Sequence, residues 1–366
     1  MRTTYCVEVT GYGSEGDGIS RLPDGRVAFI RHAARGDILE IELSEEKARS
    51  TRGEIVRIVS LSPHRIDIDC DAYPECGGCA FRHISYEEEL RAKLNRVNDA
   101  LLRIGGFSHL HSEIEILSTG QINGYRNRAV LHSDGYSCGY YAYRSHEIVP
   151  IEYCFLLKDD LNTELINLPK QDAASLSLGW NNSNELITEA LDGLEFEISG
   201  FFQVNTKAAE LLYSKAREYA GLQARDTLID MYCGVGSLTL YLGRDCGYAL
   251  GVEINQGSIE AARRNAIRNR FTHIDFVTAD VGRWDSPITN PDCITFNPPR
   301  KGLSNSAIQK VLALAPKRLV YISCDPATLA RDLRLLETYE IQEVCAIDMF
   351  PRTANVECCV KLQRKV

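Results

Sequence analysis

From about residue 200 onward the chain alternates apolar strand-like runs with helix-like stretches, and no other feature narrows the fold as much. "TLIDMYCGVGS" is a strand entering a glycine turn, and "YALGVEIN" is a strand ending in an acid. "IDFVTAD", "CITFNPP", "RLVYIS", "EVCAIDMF" and "VECCVKLQ" follow, separated by segments such as "GSIEAARRNAIRNR". Strands of this kind, alternating with helices, belong to a largely parallel α/β sheet. Such a sheet binds its ligands at the carboxyl ends of its strands. The candidate functional residues are therefore those in the turns that leave each strand.

Those turns have a definite chemistry. Gly234 and Gly236 let the backbone bend tightly beneath a ligand and open a helix. Glu253 ends the next strand, where a carboxylate can bridge the two hydroxyls of an adenosine ribose, and Asp280 one strand further is placed to meet an adenine edge. The third glycine of the dinucleotide fingerprint is missing, so S-adenosylmethionine fits this turn better than NAD. In "FNPPRKGL" the tandem prolines stiffen the turn and remove backbone donors, which leaves Asn297 to face the cleft. Arg300 and Lys301 beside it can hold phosphate.

"YISCDPATLARDL" then delivers a thiol, Cys324, to a strand end. A cysteine is often simply a small buried hydrophobe. Beside a methyl-donor site and a turn suited to a planar base, it points to nucleophilic methyl transfer to a pyrimidine. Carbon 5 of uracil is a poor nucleophile. A thiolate added to carbon 6 makes an enolate that attacks a methyl sulfonium. The carbon 5 proton must afterwards leave, so the chemistry needs a separate general base.

The first 200 residues are organised differently. Residues 1 to about 60 alternate apolar and polar positions between glycine-rich turns, with a hairpin signal at Pro23-Asp24-Gly25, and read as a small OB-like β-barrel. Gly11, Gly13, Gly16 and Gly18 precede more strand and no helix, so they read as barrel turns and not as a phosphate loop. A helix is expected over about 85–104, stopped by Gly105-Gly106, and residues 124–156 are strand-rich. Two basic-aromatic patches there, Tyr125-Arg126-Asn127-Arg128 and Tyr140-Tyr141-Ala142-Tyr143-Arg144, either stack on unpaired bases or pack their own sheet. The division expected is 1–60, 61–200 and 201–366.

The chain carries thirteen cysteines and a formal net charge of −9. No apolar run approaches the roughly 20 residues of a membrane span, and the first residues have no apolar signal core, so the expected compartment is the cytosol. Clustered cysteines in that compartment mean metal or catalysis more often than disulfides. Cys70, Cys76 and Cys79 in "CDAYPECGGC" are such a cluster, needing a fourth ligand. Cys6, Cys233, Cys246, Cys293, Cys345, Cys358 and Cys359 read as core residues. The acidic charge excludes a simple basic glove for nucleic acid but not a local basic groove.

"FFQVN", "DMYCGVGS", "GVEIN", "FNPPRKGL", "YISCDPATLARDL" and "MFPRTANVE", in this order, resemble the RNA 5-methyluridine methyltransferase family over essentially the whole chain. The N-terminal barrel resembles a TRAM domain. The resemblance implies a barrel, a central α+β iron–sulfur domain and a Rossmann-like class I methyltransferase domain. It implies Cys324 as nucleophile and Glu357 as the base for the carbon 5 proton. It puts Gln203, Tyr232, Gly234, Ser237, Glu253, Asp280 and Asn297 on S-adenosylmethionine. It draws the fourth ligand of a 4Fe–4S cluster from Cys154, with Cys138 as runner-up and zinc on the same four thiolates as the alternative metal. Asn297 stands where many members have Asp, Asn355 where a His often precedes the terminal acid, and Ser237 where Asn is frequent. The substrate implied is RNA: large-subunit ribosomal RNA first, the transfer-RNA T-loop second, acted on by a monomer. Rival readings are a cytosine acceptor and an RNA-binding relative without catalysis.

Overall fold

The computed structural model describes residues 4–110, 114–168, 172–179, 188–197 and 202–365. The chain forms two compact bodies. The first holds the described residues of Met1–Arg96, Gln121–Gly179 and Phe350–Asn355; the second holds those of Val97–Gly120, Trp180–Met349 and Val356–Val366. No helix among the described residues is long and apolar enough to cross a membrane.

The first body begins with β1 (Thr4–Glu8), β2 (Gly11–Tyr12), β3 (Gly18–Arg21), β4 (Val27–Ile30), β5 (Ile38–Glu46) and β6 (Ser50–Ser60). Among the described residues these form one sheet in the order β1-β5-β6-β4-β3-β2. Alternation turns Val7, Ala28, Ile30, Leu39 and Ile41 into a shared core. The same alternation corrects one expectation: Cys6 lies on the outer side of β1 and is exposed. Gly11 and Gly18 lie in strands and not in the turns expected, whereas Gly16, with φ 89°, lies in the turn between β2 and β3. At the expected hairpin Arg21 faces Val27 across β3 and β4. Gly25 there has φ 88°, which an L side chain resists.

Helix α1 (Tyr86–Ala100) runs into a π-helical turn, Leu101–Gly105, and ends at Gly106 in the left-handed conformation. On its buried face Lys93 and Glu89 form an ion pair of 2.7 Å with both side chains at 0% exposure. Lys93 Nζ also donates to the Phe350 carbonyl at 3.0 Å, and the Arg352 N–H donates to Glu89 Oε1 at 2.7 Å. The Arg352 guanidinium also lies 3.7 Å from Glu89 Oε2, so backbone hydrogen bonds and charge together tie the pair to the segment Phe350–Asn355. Strand β7 (Glu115–Leu117) belongs to the second body. Returning to the first, β8 (Ala129–Asp134), β9 (Cys138–Tyr141), β10 (Ile148–Pro150), helix α2 (Asp159–Ile166) and β11 (Asp172–Leu178) follow. The sheet order is β10-β9-β8-β11, with α2 closing a core of Leu131, Leu157, Leu161, Leu165 and Leu178.

The second body contains the hairpin β12 (Thr188–Leu191) and β13 (Leu194–Glu197), then α3 (Thr206–Ala220), β14 (Thr227–Met231), α4 (Ser237–Gly243), β15 (Tyr248–Glu253), α5 (Gln256–Arg268) and β16 (Ile274–Thr278). It continues with β17 (Cys293–Phe296), α6 (Asn305–Leu314), β18 (Arg318–Ser323), α7 (Pro326–Leu335), β19 (Tyr339–Ile347) and β20 (Glu357–Arg364). Side chains of Asn205, Asn255, Ser304 and Asp325 cap α3, α5, α6 and α7. Among the described residues the sheet order is β16-β15-β14-β17-β18-β20-β19-β7. From β16 to β18 every pairing is parallel. Strand β20 runs antiparallel to both neighbours. The cause is the connection: β20 follows β19 with no crossover helix, and a parallel return needs one.

The buried pair on α1 makes a direct prediction. Lys93→Met takes from the buried Glu89 its 2.7 Å cation, leaving the longer contact to Arg352 at 3.7 Å, and should lower stability by about 3–5 kcal/mol in urea unfolding. Adding Glu89→Gln should recover much of that loss. A double variant as unstable as the single one would show that the two residues are not coupled.

Candidate active site

The antiparallel strand β20 builds the centre of the site. Across β18 and β20, Arg318 faces Gln363 and Ser323 faces Cys358. Continued one position beyond the end of β18, this register sets Cys324 against Glu357, the first residue of β20. Such cross-strand neighbours have Cβ atoms about 5 Å apart. Cys324 is half-buried, between the end of β18 and the Asp325 cap of α7. Glu357 is 4% exposed. Burial pushes its carboxyl up to about 8, against the pull of the Arg300 guanidinium. Burial also raises the Cys324 thiol; the Glu357 charge adds to that rise and Arg300 opposes it. The structure therefore brings together the two expected catalytic residues and one cation, from turns that are far apart in the chain.

The expected cofactor residues lie in the turns after β14, β15, β16 and β17. Tyr232 follows β14 with φ 64°, and Gly234 and Gly236 have φ 54° and 82°. At Gly236 a Cβ would lie 2.9 Å from the Phe276 ring, so only glycine fits the start of α4. The Glu253 carboxylate accepts from the Gly234 N–H at 3.3 Å and from the Asn255 N–H at 2.9 Å, which ties the glycine turn to the end of β15. Burial pushes the Tyr232 hydroxyl up to about 12, with Asp280, Asp332 and Glu253 adding to it. Asp280 is exposed after β16 and accepts from the Gly282 N–H at 2.9 Å. Asn297 is half-buried after β17. Gln203 is buried, and the Ser237 hydroxyl lies 2.8 Å from that of Tyr213. Phe201, in the "FFQVN" run, lies outside the described residues.

Two buried acids hold these turns and were not singled out by the sequence. Asp332 on α7 is fully buried. It accepts from the Leu303 N–H at 2.8 Å and from the Tyr321 hydroxyl at 2.6 Å, and it pairs with Arg331, which reaches the Lys301 carbonyl at 2.9 Å. It thereby anchors the turn that follows the two prolines. Asp230 on β14 accepts from Thr239 at 2.6 Å and Thr295 at 2.8 Å, joining β14, α4 and β17. Burial pushes it up to about 6 even so. The signal for Asp332 was its place on the apolar stripe of α7 with Leu329, Ala330 and Leu333.

The cysteines of the first body also converge. All thirteen cysteines are free thiols. Cys70, Cys76, Cys79 and Cys154 line one cavity. Cys138 is not among its lining residues; it packs against the core beneath α2. Among the described residues no three His, Cys, Asp or Glu side chains form a group able to hold a metal ion. Cys233, Cys246, Cys293, Cys345, Cys358 and Cys359 are buried, as expected of core residues. The basic-aromatic patches are mostly packing. Tyr125 is buried and donates to the Pro351 carbonyl at 2.9 Å, and Arg126 and Tyr140 line the cysteine cavity. The Tyr143 hydroxyl donates to Glu15 at 2.7 Å while Arg31 lies over its ring. Tyr141 stacks on His132 with 3.6 Å between ring centroids.

A mixed, largely parallel sheet with a glycine turn and acids at its strand ends is a methyltransferase fold. Comparison with known proteins agrees. The family model described as tRNA (uracil-5-)-methyltransferase matches residues 159–282 and 288–365, and a TRAM domain model matches residues 1–56. A protein of Clostridium tetani described as an uncharacterized RNA methyltransferase is 30% identical, over 98% of this chain and 96% of its own length. A protein of Gloeobacter violaceus with the same description is 31% identical, over 99% of this chain and 96% of its own. A solved structure, the Pyrococcus abyssi tRNA (uracil-54, C5)-methyltransferase in complex with S-adenosyl-L-homocysteine, is similar with a TM-score of 0.75 and 25% identity. That similarity covers 99% of this chain and 100% of the other. The chain belongs to the tRNA (uracil-5-)-methyltransferase family and is an S-adenosylmethionine-dependent RNA (uracil-5-)-methyltransferase.

The raised Glu357 carboxyl makes stability depend on pH in a fixed direction. Its folded value, about 8, lies above the ordinary 4.5, so its contribution is full below about 4.5 and is lost as pH rises through about 8. Glu357→Gln cannot ionise. The variant should gain on the wild type in urea unfolding as pH is raised from 6 to 9. Parallel pH dependences for the two proteins would show that the carboxyl is not held neutral.

Proposed function

We propose that the chain methylates carbon 5 of a uridine in RNA through a covalent bond from Cys324 to carbon 6, with Glu357 as the base that removes the carbon 5 proton. The observation that carries this reading is the β18–β20 register, which sets the thiol against the buried acid. S-adenosylmethionine, when bound, supplies an electrophilic methyl group on a sulfonium. The donor set suits it: Glu253 lies where a carboxylate meets ribose hydroxyls, and the turn at Tyr232–Gly236 is open to a ligand through left-handed backbone. Gln203, Ser237, Asp280 and Asn297 complete the set on this reading.

Cys324 acts first. Arg300 favours its thiolate, and a Glu357 still carrying its proton does not repel it. The thiolate adds to carbon 6, and the electron pair moves toward carbon 5. After methylation Glu357, its own proton lost to solvent, takes the carbon 5 proton as a carboxylate; the C–H electron pair closes the carbon 5–carbon 6 double bond, and the carbon–sulfur bond breaks to release the thiolate. A carboxylate with a pKa of about 8 is a stronger base than an ordinary one, at the cost of being about one-tenth ionised at pH 7. The uridine must leave its stack to reach these groups.

On the same reading residues 1–60 grip RNA, residues 61–200 shape the substrate site, and residues 201–366 are a Rossmann-like class I methyltransferase domain. Cys70, Cys76, Cys79 and Cys154 hold a 4Fe–4S cluster as a structural clamp. Their convergence on one cavity supports this. Zinc on the same four thiolates would be the alternative structural metal. Large-subunit ribosomal RNA is the first substrate reading. The transfer-RNA T-loop is the second, favoured by the whole-chain similarity to a tRNA uracil-54 enzyme.

Ribosomal RNA and transfer RNA from a strain lacking this protein, incubated with it and labelled S-adenosylmethionine, test the reading. Label should appear as 5-methyluridine in large-subunit RNA. Label in the T-loop would select the second substrate, and label on cytosine would reject the uracil reading. The rate should rise between pH 6 and 8 as Glu357 ionises. Because Arg300 holds that carboxyl down, Arg300→Gln should move the rise to higher pH. A rate independent of pH over this range would remove Glu357 from the proton-transfer step.

A further inference from the structure

The cysteine cavity of the first body holds two donors that the described residues leave without an acceptor. Arg126 and Tyr140 both line it. Arg126 Nε and the Tyr140 hydroxyl are buried and have no hydrogen-bond partner among the described residues. A buried donor left empty costs about 1–3 kcal/mol and is rare in folded proteins. Arg126 is also a cation with no carboxylate partner among the described residues; its guanidinium lies 5.9 Å from the Tyr125 ring centroid. The second cation of the wall, Arg82, is already matched: it pairs with Asp69 and donates to Asn123 at 3.0 Å.

The cavity is therefore built with one unmatched positive charge and two empty donors around four thiols. That pattern complements an anion rich in sulfur acceptors. Four thiolates outweigh the positive charge of a 4Fe–4S core, so the assembly is such an anion, and hydrogen bonds to its sulfurs and nearby charge both set its reduction potential. We infer that Arg126 and Tyr140 donate to sulfur atoms of the cluster in this cavity, and that Arg126 balances part of its charge. This rests on the cluster reading above. On reduction the cluster takes up one electron and no bond is made or broken; a nearby cation and sulfur-directed donors stabilise the more negative state. Removing either donor should lower the potential and loosen the cluster.

The test uses the full chain purified without oxygen as wild type, Arg126→Gln, Arg126→Lys and Tyr140→Phe. Iron and acid-labile sulfide are counted first. Dithionite then supplies the electron in a potentiometric titration followed by electron paramagnetic resonance. Iron loss to a chelator is timed in parallel. Arg126→Gln and Tyr140→Phe should shift the midpoint downward and speed iron loss, by about tenfold for the arginine. Arg126→Lys should fall between Gln and wild type. Unchanged midpoint and unchanged iron loss in both variants, with wild-type cluster content, would overturn the inference while leaving the cluster in place. Wild-type protein without iron and sulfide would overturn the cluster reading itself, and the inference with it. Tyr140→Phe keeps the ring and its volume, so it decides the matter even where the arginine variants fold poorly. A cluster that dithionite does not reduce is decided by the chelator rates.

Discussion

A carboxyl group buried at the start of an apolar strand is the constraint on which this site turns. Glu357 opens β20, whose next residues are buried on both faces of the sheet. Nothing in the surrounding strand calls for an acid, and burial makes its charged form costly. What places it beside Cys324 is strand direction. Had β20 run parallel to β18, its first residue would have lain at the opposite end of the sheet. Antiparallel pairing with both neighbours brings the start of β20 to the end of β18. The thiol and the acid then meet where the other strands deliver their turns.

The supporting acids show how such a site is held rigid. Asp332 accepts from Leu303 in the turn after Pro299, from Tyr321 on β18 and twice from Arg331, and Asp230 locks the glycine turn to its neighbouring strand through two threonines. Neither touches the expected reacting atoms. Both are inside, where an acid survives only when its oxygens are paired. In the first body the Glu89–Lys93 pair does the same for Phe350–Asn355, through two hydrogen bonds with backbone groups of that segment and an ion pair with Arg352.

Much of this was legible in the sequence, for definite reasons. Runs such as Ala249–Val252 and Leu319–Ile322 are apolar throughout because both faces of the sheet are covered, so their strands and order of appearance could be read. The glycine turn, the two prolines and the cysteine at a strand end mark turns by their chemistry. The direction of β20 could not be read, because it depends on the length of the connection from β19 and not on the strand's own residues. Asp332 and Asp230 were passed over because a charged residue normally reads as solvated. Glu115–Leu117 is too short to show a period, yet it pairs with β19 at the sheet edge. In the Tyr125–Arg128 and Tyr140–Arg144 patches, composition suits both a base-stacking face and an inward-packed sheet, and only the fold distinguishes them.

The central claim is that Cys324 and Glu357 act in sequence on one base, and trapping tests it most directly. Wild type, Cys324→Ala and Glu357→Gln are incubated with substrate RNA and labelled S-adenosylmethionine and run on a denaturing gel. Glu357→Gln should accumulate a methylated protein–RNA adduct, because the thiol can add but the carbon 5 proton has no base to take it. Cys324→Ala should show neither adduct nor methylation. Methylation that persists in Cys324→Ala would show that the thiol at the end of β18 is only packing. A Glu357→Gln protein that turns over freely would contradict the role of the buried acid.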